Sequence, residues 1–389
     1  MRKWCLSVIP LAVPNLEGNE RKYLNQCIDT TFVSSVGQFV TQIEKVAAEK
    51  SDAEYGVATS SGTTGLHLAL IVIGVGRDDI VIIPSFTFIA TANAVSHTGA
   101  VTWLMDIDPN SWTLDARQLE SELANKAEYR DGVLIHRPSG KRIAAIMPVY
   151  TLGNVPDMDK ISSVAEKYQI PVVADAAAAV GALYKGRGIG KLANLTVLSF
   201  NGNKTITTGG GGMVLGNDEL LMKKLKHIST TARVTAEYDH DMVGYNYRMT
   251  NIQAAVGCAQ FERLEKFLVR KRYIREYYHR KLSDIENISF FPIPDDQESA
   301  CWYSGIILKD GNLNKVRNIC AELKNFGIEA RSFWKPVHLQ KPYENAWQAD
   351  SMKVTENLWD KIVTLPCSTN ITDDELQTVC DSLRKILML

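Results

Sequence analysis

Between residues 57 and 217 the chain alternates short, almost wholly apolar runs with longer stretches of helical periodicity. Few folds accept that pattern. A strand apolar on both faces must be covered on both faces, which a mainly parallel α/β sheet with crossover helices provides. Strands are expected at 80–83, 101–107, 143–149, 171–174, 195–200 and 213–215, with helices at 64–73, 88–98 and 159–168 between them. Helix signals also precede this region, at 18–30 and 37–49, and a long helical pattern follows over 251–282, its apolar stripe carried by Ile252, Ala255, Val256, Ala259, Leu264, Phe267 and Leu268. Beyond Asn287 the texture changes to strands near 288–293 and 302–308 and helices near 313–326 and 373–387. The expected organisation is therefore a large α/β domain with its N-terminal arm over 1–282 and a smaller α+β domain over 283–389.

Composition removes several classes of function. Lys+Arg number 43 against 44 Asp+Glu, a net charge of −1, which leaves no basic surplus for a nucleic-acid backbone. No apolar run approaches the ~18 residues of a membrane span. The basic-then-apolar start, Met1 to Pro14, is interrupted by Pro10 and lacks a small-residue cleavage site, so it reads as mature protein. Seven cysteines (Cys5, Cys27, Cys258, Cys301, Cys320, Cys367, Cys380) are scattered without a CxxC pair. That excludes a disulfide framework and a zinc site, and is expected of a reduced, cytoplasmic protein without a bound metal.

Three segments carry possible chemistry. Ser60-Ser61-Gly62-Thr63-Thr64-Gly65-Leu66 opens an apolar helix with small hydroxyl residues. Free amides, dipole and hydroxyls there suit a phosphate, although a plain helix cap would look the same. Asp175 ends the apolar run Val172-Val173-Ala174, where open α/β sheets place functional groups; it could equally cap the next turn. Lys204 follows the run Leu198-Ser199-Phe200 amid Asn201, Gly202, Asn203 and Thr205 and just before Gly209-Gly210-Gly211-Gly212. Small neighbours leave room for a bulky group at its amine, whereas an ordinary loop lysine would be solvated. The tract is not a nucleotide-binding P-loop, because the Gly-Lys adjacency and the glycine five residues earlier are both missing. Taken together, an anion cradle, a strand-end acid and an accessible lysine match the needs of pyridoxal phosphate.

The chain also resembles the DegT/DnrJ/EryC1/StrS family of sugar aminotransferases. The resemblance runs from Ile9-Pro10-Leu11 to Pro336-Val337-His338 through Ser61-Gly62-Thr63-Thr64, Pro84-Ser85-Phe86-Thr87-Phe88, Asp157-Met158-Asp159, Asp175-Ala176-Ala177, Ser199-Phe200-Asn201-Gly202-Asn203-Lys204, Gly244-Tyr245-Asn246-Tyr247-Arg248-Met249 and Gln253-Ala254-Ala255. It implies the aspartate-aminotransferase-like fold (fold type I), pyridoxal 5'-phosphate as cofactor, and a homodimer with shared sites. It further implies Lys204 as the Schiff-base lysine and Asp175 as the partner of the pyridine nitrogen. Gly62, Thr63, Thr64 and Ser199 would hold the phosphate, with Phe88 stacked on the ring and Asn201 beside it. Asn246 would reach the phosphate of the second subunit.

Two positions depart from the family pattern: Ala178 stands where Gln or His is common, and Tyr150-Thr151-Leu152-Gly153 replaces His-Leu-Tyr-Gly. The activity implied is transfer of an amino group from glutamate to a nucleotide-linked keto sugar. A branch resemblance in Val13 to Glu20 and Val33 to Gly37 points to C4 of a UDP-linked 2-acetamido-2,6-dideoxy-4-hexulose, with Ser35, Tyr150, Arg331, Trp334 and His338 as expected substrate contacts. The alternatives are another keto position, a dTDP- or GDP-linked sugar, or a dehydrase-like relative. In such dehydrases a histidine replaces the lysine, and Lys204 argues against one here.

Overall fold

The computed structural model describes residues 8–388; Cys5 and the first residues of the Met1–Pro14 start lie outside the described residues. The apolar runs become the centre of the molecule. Ile80–Pro84, Leu195–Ser199 and Gly212–Gly216 are buried at every position, the signature of strands covered on both faces.

Two groups of strands make the large sheet. One has the order Tyr55–Thr59, Gly212–Gly216, Leu195–Ser199, Val173–Asp175; the other runs Lys141–Ile146, Ile80–Pro84, Val101–Met105, Trp347–Gln348. Parallel bridges Ile146 to Val172 and Val149 to Asp175 join them. Gly212–Gly216 is antiparallel to both its neighbours, while the core pairings from Leu195–Ser199 out to Trp347–Gln348 are parallel. Helices Gly62–Val72, Ala90–His97 and Met158–Lys167 fall within a few residues of the expected places. Gly65 explains how closely the first of these approaches the sheet: a Cβ there would meet Val197 Cγ1 at 2.9 Å.

Three expectations are corrected. The helix anticipated over 251–282 is two, Asn251–Phe261 and Leu264–Leu282. Their junction forms where the Arg263 amide bonds to Gln260, three residues back, in place of continuing the four-residue ladder. A hairpin of Ala127–Arg130 and Val133–His136, absent from the sequence reading, extends the edge beside Lys141–Ile146. The run expected as a strand from Trp302 begins only at Ser304.

A second, antiparallel sheet of Ile288–Phe290, Ser304–Leu308, Ile362–Leu365 and Arg331–Ser332 lies in the C-terminal part, packed with helices Leu313–Asn325 and Asp373–Leu387. The chain crosses position 283 in both directions. Ile9 and Leu11 join the apolar cluster of this second sheet. Trp347–Gln348 returns to the edge of the large one. No helix among the described residues is long and apolar enough to cross a membrane.

Candidate active site

The carboxyl ends of the central strands open on a cavity of about 400 Å³. Open α/β sheets hold ligands there, because side chains and helix N-termini converge just beyond the strands. Its first wall is local in origin. Ser61 caps the helix Gly62–Val72 by accepting the Thr64 amide, and Thr64 Oγ1 returns to accept the Ser61 amide at 3.0 Å. The amides of Gly62 and Thr63, at the first two helical positions, have no carbonyl to bond within the helix. Both residues line the cavity opposite Ser199, which is buried. A Cβ on Gly62 would meet Ser199 Cβ at 3.0 Å, so glycine there keeps the cradle open.

Asp175 ends Val173–Asp175 and is 5% exposed. Thr91 donates to its Oδ2 at 2.7 Å and the Ala177 amide to its Oδ1 at 3.1 Å. Burial still pushes the carboxyl above its ordinary range, against the pull of Thr91, Ala177 and the Lys204 charge. The acid is therefore poised for a cationic N–H partner, which would offset the cost of burying its charge.

Lys204 lies on the other side of the cavity. Its backbone amide closes a turn onto the Asn201 carbonyl at 2.9 Å, and the Phe200 amide bonds to Gly211 across the loop. Its side chain keeps some surface toward the cavity. The residue is half-buried, and its amine sits 3.6 Å from the centre of the Trp302 ring. Burial lowers its pKa to about 8, with Asp175 pulling in the opposite direction. That leaves roughly a tenth of the amine neutral at pH 7, far more than an ordinary lysine keeps, and the neutral form is the nucleophile.

The cavity brings together Gly62, Thr63, Phe88, Tyr150, Asp175, Ala178, Ser199, Asn201, Lys204, Arg331 and Trp334 from the expected set. Phe88 is 56% exposed and leans on Trp334 with ring centres 6.1 Å apart. Tyr150 is fully buried, and its hydroxyl has no partner among the described residues. Four expected residues do not line the cavity. Thr64 spends its hydroxyl on the Ser61 cap. Asn246 is exposed, and Ser35 lies in the segment preceding helix Gln38–Glu49. His338 is buried elsewhere, its Nδ1 hydrogen-bonded to Ser85 at 2.6 Å and its Nε2 3.6 Å from Glu356. His338 thus lies outside the cavity lining, and its Nε2 has no hydrogen-bond partner among the described residues.

The sequence reading missed Thr91 and the aromatic wall of Trp302, Tyr303 and Phe333. Thr91 had a signal: it lies one helical turn after Thr87, and the two hydroxyls bond at 2.7 Å. The aromatic wall had none, because its members come together only through the C-terminal part of the chain.

The cradle, the buried acid and the buried amine face one volume, and the donor set fits pyridoxal phosphate. The fold and cavity define a pyridoxal-phosphate enzyme of fold type I. A putative sugar aminotransferase of Streptococcus pneumoniae, solved in its PLP form, superposes with a TM-score of 0.88 at 23% identity, over 98% of this chain and 99% of that one. Residues 14–384 match the model of the DegT/DnrJ/EryC1/StrS aminotransferase family, and the chain belongs to that family. It is 37% identical over 382 residues to a GDP-perosamine synthase of Caulobacter vibrioides, covering 98% of both chains. It is 30% identical over 354 residues to a UDP-4-amino-4,6-dideoxy-N-acetyl-beta-L-altrosamine transaminase of Campylobacter jejuni, covering 90% of both. The protein is thus a pyridoxal-phosphate-dependent sugar-nucleotide aminotransferase.

Proposed function

We propose that this enzyme moves an amino group from glutamate to the C4 ketone of a nucleotide-linked 4-keto-6-deoxy hexose. The observation that carries the reading is the facing of Asp175 and Lys204 across one cavity whose rim is an open helix start. When bound, pyridoxal phosphate supplies a carbonyl that condenses with amines and a ring that accepts electrons from the adjoining carbon. The chain's own residues do the rest. The Gly62 and Thr63 amides and the Ser199 hydroxyl hold the phosphate through hydrogen bonds and the helix dipole. Asp175, braced by Thr91 and Ala177, holds a proton on the ring nitrogen by short-range charge pairing. Phe88 covers a ring face. Lys204 would anchor the cofactor through its amine and would serve as the base and acid that takes and returns the proton of the amino donor; its pKa of about 8 suits both directions.

Arg331 and Trp334 at the opposite wall are the groups we assign to the sugar nucleotide. Asn246, exposed between Tyr245 and Tyr247, is assigned to a second copy of the chain in a homodimer. For the base, the relative named a GDP-perosamine synthase matches over more of the chain and at higher identity than the UDP-linked one. The first reading is therefore a GDP-linked acceptor. The UDP-linked acetamido sugar is the second, supported by the altrosamine relative.

The test is a panel of GDP-, UDP- and dTDP-linked 4-keto-6-deoxy sugars with glutamate, following 2-oxoglutarate and the amino sugar by mass. Turnover with the GDP sugar at least tenfold above the others is expected. Preference for the UDP sugar would reverse the order of the two readings, and no 2-oxoglutarate with any sugar would overturn the proposal.

A further inference from the structure

Lys204 has an uncommon neighbour. A buried amine ordinarily meets a carboxylate, yet here its Nζ lies 3.6 Å over the Trp302 ring. The two contacts differ in strength. A carboxylate at that distance would hold the amine as a tight ion pair and keep it protonated. A ring face attracts an ammonium through its quadrupole, strongly enough to localise it and weakly enough to let it go.

Trp302 itself is 4% exposed and held from three directions. Its indole N–H donates to the Asn203 carbonyl at 2.7 Å, tying the ring to the residue just before the lysine. Its amide donates to the Leu152 carbonyl at 2.9 Å. Leu152, at φ 61°, sits in a left-handed turn that follows Tyr150 directly. The Trp302 carbonyl accepts from Lys271 Nζ at 2.9 Å, and that buried ammonium also donates to the Cys367 carbonyl at 2.7 Å.

We propose that Trp302 is a positioning residue, its indole face being the seat on which the Lys204 amine rests whenever that amine is not bonded to the cofactor. This deepens, and rests on, the role given to Lys204 above. A free lysine side chain has four rotatable bonds, and ordering it by protein contacts costs conformational entropy. The seat restricts the amine to the cavity edge, so each release leaves it ready to return. The charged or titratable groups around Lys204 are Asp175, Tyr150, Tyr303 and Arg331 on the cavity side and Lys271 in the small pocket behind. Asp175 is the carboxylate among them, and among the described residues no ion pair joins a carboxylate to the amine.

The experiment uses the full-length protein freed of cofactor. Lys204 is labelled with a short acylating reagent across pH, and the label is located by peptide mass. The parent is expected to show a midpoint near 8. Removing a face that favours the cation lowers the midpoint, so Trp302→Leu is expected to shift it down by about one pH unit and give about tenfold more label at pH 6. Trp302→Phe restores at least half of the shift. In the loaded Trp302→Leu enzyme, kcat falls about tenfold with the KM for glutamate within twofold.

Should Trp302→Leu fail to fold, biosynthetic fluorotryptophan weakens the ring face at constant shape, and the midpoint falls with each added fluorine. An unchanged midpoint in a folded Trp302→Leu protein, or across the fluorinated series, overturns the proposal. A chain that takes up no pyridoxal phosphate would instead sink the role of Lys204, while the labelling midpoint still judges Trp302.

Discussion

The two walls of the cavity are built in opposite ways. One is assembled from strand ends and the helix start of the first 211 residues, with hydrogen bonds that mostly stay within a turn: Ser61 with Thr64, Asp175 with Ala177, Lys204 with Asn201. The other is aromatic and comes from loops between 302 and 334: Trp302, Tyr303, Phe333 and Trp334. Its members stack on one another, as Phe333 and Trp334 do at 4.2 Å, and bond across more than a hundred residues of chain, as Trp302 does to Leu152. The contrast teaches that the groups assigned to bond making are placed by local geometry. The aromatic surface, which seats the Lys204 amine through Trp302 and carries the Trp334 assigned to the acceptor, is placed by packing between distant segments.

The largest test of that division is Lys204→Ala. It is expected to lower turnover by about 10³-fold or more while leaving the melting temperature within a few degrees, since the site loses its nucleophile and keeps its frame. The same residue makes a pH prediction. Because its folded pKa is lowered to about 8 from 10.5, the unfolded chain binds more protons between those values. Stability of the cofactor-free parent therefore gains from Lys204 as pH rises from 8 to 10.5. Melting curves of Lys204→Met should lack that gain; an identical pH profile would refute the burial of the amine.

Next comes the opposite wall. Arg331→Ala is expected to raise the KM for the sugar nucleotide about tenfold and to leave the glutamate half-reaction within twofold, measured by single-turnover absorbance. If both half-reactions fell together, the walls would not divide the work as described.

Thr91→Val probes the support of Asp175. Losing one hydrogen bond to a buried carboxylate is worth about 1.5–3 kcal/mol, so kcat should fall roughly 10- to 100-fold with fold and cofactor uptake retained. The smallest effect belongs to His338→Gln, which removes a bond to Ser85 outside the cavity. A stability loss of about 1 kcal/mol is expected, with kinetic constants within twofold. A large rise in the KM for the sugar would return His338 to the substrate.

Much of the fold was legible because the central strands are apolar at nearly every position and the helices announce their starts. Ser61 with Thr64, Asp157, Thr250 with Gln253, and Thr372 with Glu375 are all helix caps in the structure. The break at Glu262–Arg263 was not legible, since the apolar stripe runs through it without a proline or glycine. The hairpin at 127–136 was hidden by its polar, half-exposed residues. Within the site, Asp175 and Lys204 stood out as polar residues closing apolar runs. Trp302 did not, because one more tryptophan beside a strand looks like core.

What the sequence determined by itself is the class of chemistry: a mainly parallel α/β sheet, an anion-binding helix start, and an acid and an amine on successive strand ends. These follow from residue patterns shorter than a helix or strand, where steric and hydrogen-bond rules act on neighbours in the chain. Tertiary structure decided what each group feels. Burial draws Lys204 down and Asp175 up, Thr91 braces the acid, Trp302 seats the amine, and His338 is withdrawn from the cavity. Desolvation and contact between remote segments exist only once the chain has closed on itself, so no local pattern could have stated them.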